Sequence, residues 1–229
     1  MGSRGRKSTP GSKSAITETR SPGRAAFPEV DAERIGVWGS SYSGAHVLVV
    51  GAIDRRVKCV VAQVPLISGH ANARRLIRAD FIAQVQAACL EDRRARYQGN
   101  PPGMIPVVSE SPMGPAVLPT TDSWQWFTET ARSRAPAWRN EVTLRSVEML
   151  SEYEPGTYIP QISPTPLLMV VAIQDHLTVA DLALQAYEFA LQPKQLVMLK
   201  GGHFDAYVAD FETSSGAAVA WFREHLSVA

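Results

Sequence analysis

Gly39-Ser40-Ser41-Tyr42-Ser43-Gly44 stands between two apolar runs, Ile35 to Trp38 and Ala45 to Val50. The first run reads as a buried strand and the second as the start of a buried helix. A strand that turns into a helix within so few residues needs small groups on both sides of the apex. The apex residue is then forced into a strained backbone conformation that points its side chain outward. Gly39-x-Ser41-x-Ser43 meets that demand. Ser41 is therefore a candidate nucleophile, seated at a helix N-terminus whose free amides favour developing negative charge. On these residues alone, a glycine–serine turn without chemistry reads equally well.

The rest of the chain decides between the two. Val57 to Val64 reads as a second buried strand, closed by Pro65, and strand–helix–strand spacing of this kind marks a parallel sheet with crossover helices. Strands resume at Pro166–Ala172 and Lys194–Lys200, with helices over about 179–191 and 213–226. Asp175 falls just past the carboxyl end of one of these strands. His203 falls just past the next, after Gly201-Gly202. Functional groups gather at such strand ends in open parallel sheets. A serine hydroxyl needs a base to become a nucleophile, and the base needs an acid to fix its tautomer. Asp175 alone reads as a turn or helix cap, and Gly-Gly-His alone as a loop. Ser41, Asp175 and His203 together supply all three roles in one chain order.

That order, with the strand–helix turn, resembles the α/β-hydrolase fold. Gly39 to Gly44 followed by a capping insertion is similar to dienelactone-hydrolase-like enzymes and fungal polyketide transferases. The Gly-x-Ser-Tyr-x-Gly form is also similar to acyl-esterase and prolyl-dipeptidase relatives. The resemblance runs from about Phe27 to the C-terminus. It implies a nucleophile at Ser41, an acid at Asp175, a base at His203 and one oxyanion donor at the Tyr42 amide. The family has several strands and helices before the strand that carries the nucleophile, whereas about 33 residues precede it here. The chain thus resembles the C-terminal two-thirds of the family, with a replaced or truncated N-terminus. The family's second oxyanion donor belongs to the part without a counterpart.

The expected fold class is α/β: the C-terminal part of an α/β-hydrolase sheet, mostly parallel, with a helical cap insertion. Residues 1–26 read as a basic disordered tail, 27–65 and 161–229 as the core, and 66–160 as the cap. Within the cap a helix is expected over 71–97, with Ile77, Phe81, Val85 and Cys89 in one row and its arginines on a solvated face. Residues 100–119 hold six prolines and read as an extended surface segment. Asp122 caps an expected helix carrying Trp124, Trp126 and Phe127, and another covers about 142–152. Those three aromatics are candidates to line an acyl pocket, against a default of ordinary packing.

Lys and Arg number 23 and Asp and Glu 22, a net charge of +1, which gives no basis for a nucleic-acid partner. Cys59 and Cys89 have no metal spacing and read as buried free thiols. The basic N-terminus lacks an apolar signal stretch and no run reaches transmembrane length, so no membrane partner and a cytoplasmic location are expected. The expected activity is serine hydrolysis of a small-molecule carboxylic ester or thioester through an acyl-enzyme on Ser41, with no metal or organic cofactor. The alternatives are polyketide-type acyl transfer or carbon–carbon cleavage by the same serine, or a catalytically crippled fold. A homo-oligomer is expected, joined along the flank beside residues 35–38.

Overall fold

The apolar runs pair as a four-stranded parallel sheet in the computed structural model, which describes residues 30–111 and 113–227. Its strands are β1 (Ile35–Ser40), β2 (Val57–Gln63), β5 (Leu167–Ala172) and β6 (Lys194–Leu199), side by side in the order β1-β2-β5-β6. The expected tail over 1–26 lies outside the described residues. Helix α1 (Tyr42–Ile53) connects β1 to β2, α6 (Ala180–Glu188) connects β5 to β6, and α7 (Phe211–Leu226) follows β6.

Helices on both faces explain why the central strands carry no polar alternation. On one face Val60 and Ala62 of β2 and Leu167, Met169 and Val171 of β5 pack with Val47 and Leu48 of α1 and Ala183 and Ala186 of α6. On the other, Cys59, Val61, Leu168, Val170 and Ala172 pack with Ala218 and Trp221 of α7. Successive residues serve opposite faces, as the two-residue period of a strand requires. Every residue of β5 is buried, while β1 and β6 are partly exposed, as edge strands are.

The connection from β2 to β5 holds α2 (Gly69–Leu76), α3 (Ile82–Tyr97), α4 (Thr121–Ser133) and α5 (Leu144–Ser151). Two short strands, β3 (Met104–Ile105) and β4 (Val142–Thr143), pair antiparallel within it. The single helix expected over 71–97 is two helices. Arg78 folds back to hold the Asp80 carboxylate at 2.6 Å, and the Phe81 amide closes a turn onto Arg78 O at 2.9 Å. The solvated arginine face is partly an inter-helix seam: Arg93 and Arg96 of α3 both reach Glu148 of α5. Asp92 is buried beneath it, accepting from the Gly103 amide and from Arg96. The proline-rich segment is not uniformly at the surface, because Val108 is buried and the Asn140 side chain bonds both its amide and its carbonyl. Thr120, not Asp122, stands at the N-cap of α4, and Asp122 lies in the first turn. Cys59 is a buried free thiol whose pKa burial pushes up to about 12, but Cys89 is only half-buried. No helix of the described residues is long and apolar enough to cross a membrane.

Candidate active site

β1 ends at Ser40 and α1 begins at Tyr42, so Ser41 alone spans the turn. Its backbone lies at φ 58°, ψ −120°, a conformation that costs a non-glycine residue about 1–3 kcal/mol and persists only where its surroundings impose it. They do. The Ser41 amide donates to Gln63 O at 2.9 Å, and Ser41 O accepts from the amides of Ala45 and Leu66. Crowding explains the small residues around it. A Cβ on Gly39 would stand 2.2 Å from Ser43 O, and one on Gly44 would stand 3.0 Å from Gln63 O. The first amides of a helix have no partner inside it. The Tyr42 amide, first in α1 and beside Ser41, is therefore placed to meet negative charge.

The strand ends bring the other two groups to Ser41. His203 Nε2 lies 3.0 Å from Ser41 Oγ, and His203 Nδ1 lies 2.7 Å from Asp175 Oδ2. Both side chains of the acid–base pair are buried. A carboxylate only accepts, so Nδ1 carries the ring proton and Nε2 is left to take the serine's. Asp175 is also the turn cap that its sequence position suggests. Its Oδ1 accepts the amides of Leu177 and Thr178, both at 2.8 Å, while Oδ2 serves the histidine. The two readings of that residue describe opposite oxygens of one carboxylate.

Thr178 is a member of the site that the sequence reading missed. Its Oγ1 lies 3.0 Å from Asp175 Oδ2, 3.1 Å from His203 Nδ1 and 2.9 Å from Val64 O. The signal was present as Asp-x-x-Thr, since a threonine three residues after a capping aspartate sits on the same turn. Val64, whose carbonyl faces that hydroxyl, is itself held at φ 36°. A second missed group pins the end of β1. Ser40 Oγ is 2.7 Å from the Tyr207 hydroxyl and accepts from Gln63 Nε2 at 3.2 Å. Burial raises the Tyr207 pKa, which keeps that phenol neutral.

Two chambers meet at Ser41. The larger, about 360 Å³, is bounded by Ser41 and Tyr42 on the core side and by Val107, Val117, Val147 and Leu150 of the insertion. The smaller, about 210 Å³, has Ser41 and His203 at its base and Trp126, Phe204 and Tyr207 in its walls. Phe127 borders both. Of the three candidate aromatics, Phe127 faces both chambers and Trp126 the smaller, whereas Trp124 is in neither wall. At about 100° per residue Trp124 points to the opposite side of α4 from Trp126. Among the described residues no cluster of His, Cys, Asp or Glu could hold a metal ion.

A strained serine at a strand–helix turn, bonded to a histidine that is bonded to a carboxylate at the next strand ends, defines the α/β-hydrolase class. Comparison with known proteins agrees. Residues 24–84 match the family model described as acetyl xylan esterase (AXE1). A thiohydrolase of Eupenicillium brefeldianum is 29% identical over 81% of this chain and 60% of its own length. Polyketide transferase ATR5 of Stachybotrys chlorohalonatus is 27% identical over 78% of this chain and 59% of its own. The crystal structure of the α/β hydrolase GrgF from Penicillium sp. sh18 superposes with a TM-score of 0.74 at 24% identity, covering 93% of this chain and 70% of that one. The chain has the α/β-hydrolase fold, and it spans about 60% of the length of these two curated relatives.

Proposed function

We propose that the chain is a serine hydrolase that cleaves a small carboxylic ester or thioester through an acyl-enzyme on Ser41. The observation that carries this reading is the continuous bond path from Ser41 Oγ through His203 to Asp175, opening on an apolar chamber within the roughly 300–1,000 Å³ of small-molecule sites. Ser41 Oγ attacks the acyl carbon as its proton passes to His203 Nε2. The carbonyl oxygen takes the negative charge and meets the Tyr42 amide. As the tetrahedral adduct collapses, Nε2 returns the proton to the departing oxygen or sulfur. Water then repeats the sequence against the acyl-enzyme, with His203 again as base. Asp175 keeps the ring in the required tautomer and stabilises its cation.

An alcohol, thiol or carbon acceptor in place of water turns the same intermediate into acyl transfer, a reading favoured by the relatives whose names are polyketide transferase. The test is labelling by a fluorophosphonate, followed by turnover of p-nitrophenyl esters of short to medium acyl chains. Labelling and turnover that vanish in Ser41→Ala are expected. Equal turnover by Ser41→Ala would remove Ser41 from the mechanism. Product analysis with added acceptors separates hydrolysis from transfer.

A further inference from the structure

Two chambers meeting at one nucleophile raise the question of which half of a substrate enters each. His203 decides it. The departing oxygen must receive the proton on His203 Nε2, so the leaving group has to lie on the side His203 borders. His203 borders the smaller chamber and not the larger. On the ester-cleavage reading, the acyl chain therefore fills the aliphatic chamber.

The walls of the smaller chamber are mostly rings, with Leu118 and Leu177 beside them. Trp126 stacks on Phe204 at 5.3 Å between centroids and 20° between planes, and lies 5.3 Å from Tyr207. Phe204 meets His203 edge-on at 5.0 Å. The Tyr207 hydroxyl is engaged by Ser40 Oγ, so this residue offers its ring rather than a polar group. No carboxylate, lysine or arginine borders the space. Such a lining does not select for a charged or strongly hydrated alcohol, whose polar groups would be left unpaired. It matches a flat ring, which aromatic neighbours hold in offset or edge contact.

We propose that the smaller chamber is a leaving-group site for an aromatic alcohol or thiol, built by Trp126, Phe204 and Tyr207 beside His203. In the forward step the bond between the acyl carbon and the aryl-bearing oxygen breaks, and the proton on His203 Nε2 goes to that oxygen. In transfer, the same aromatic alcohol gives its proton to Nε2 as its oxygen bonds to the acyl carbon, the bond from that carbon to Ser41 Oγ breaks, and Nε2 returns the proton to Oγ.

The test compares benzyl hexanoate with cyclohexylmethyl hexanoate, which share an acyl chain and differ in a flat against a puckered ring. Wild-type kcat/KM is expected to favour the benzyl ester roughly two- to tenfold, the yield of an aromatic contact beyond its buried area. Trp126→Leu should bring the ratio to about one and Trp126→Phe should restore part of it, whatever the absolute rates. A second arm needs no turnover: saturation-transfer NMR of benzyl alcohol with Ser41→Ala protein, with and without Trp126→Leu. A wild-type ratio near one, or a ratio that survives Trp126→Leu, overturns the aromatic site while leaving ester cleavage standing. Benzyl alcohol that binds through Trp126 when neither ester is turned over keeps the site and sinks the hydrolase reading.

Discussion

At the scale of single residues, the site is a chain of shared protons, and each link has its own expected cost. Removing the nucleophile in Ser41→Ala should lower kcat by on the order of 10⁴–10⁶, and Asp175→Asn should be milder, at up to about 10⁴. Steady-state rates on an activated ester check both. Thr178 borders the larger chamber, but its hydroxyl is turned to Asp175 and His203, through which it acts by this reading. Thr178→Val removes one hydrogen bond from the pair and should lower kcat roughly tenfold with KM little changed. A KM effect with unchanged kcat would assign it to binding instead. His46 carries a prediction about stability. It packs between Tyr42 and Tyr153, and burial lowers its pKa from the ordinary 6.5. Between that lowered value and 6.5 the unfolded chain binds a proton that the folded chain refuses. Stability therefore rises with pH through this window and is lost as pH falls. Urea midpoints should drop from about pH 7.5 to about pH 5, and drop less in His46→Phe.

At the scale of elements, the strand–helix turn and the central strands are the parts that tolerate least. Gly39→Ala drives a methyl into Ser43 O, which is backbone and has nowhere to yield. Loss of folded protein, or of fluorophosphonate labelling, is the expected result. Leu168 is fully buried between β2 and α7, so Leu168→Ala should cost about 2–5 kcal/mol in denaturant unfolding. These are also the elements most legible in the sequence. Long apolar runs bounded by turn residues announce buried strands directly, and the three candidate residues sit at fixed places relative to them. The insertion was legible only in outline. Its two-residue strands are too short to carry a period, and Arg78-Ala79-Asp80 breaks a helix through side-chain pairing that apolar spacing does not register. The pocket aromatics were half legible, because composition names the rings but only helix phase says which way they point. Phe204 and Tyr207 were missed since their roles arise from approach across the fold, whereas Thr178 had a local signal in its spacing from Asp175.

At the scale of the whole molecule, β1 is an edge of the sheet among the described residues, and Trp38 within it is 51% exposed. We propose that a second copy pairs with this edge about a two-fold axis, continuing the sheet and meeting the backbone groups that β2 does not. Sedimentation equilibrium at micromolar concentration is expected to show a dimer, and a stable monomer would mean that this edge recruits no copy. One further property follows from how the site is divided along the chain. Proton transfer is assigned to residues at three strand ends, while most of the larger chamber's wall is drawn from residues 66–150. Reactivity and selectivity are thus inherited on separate stretches of one gene. On the proposed function, a substitution in the insertion would change which acyl group fits without touching the groups assigned to bond breaking, so diet and chemistry are open to separate change.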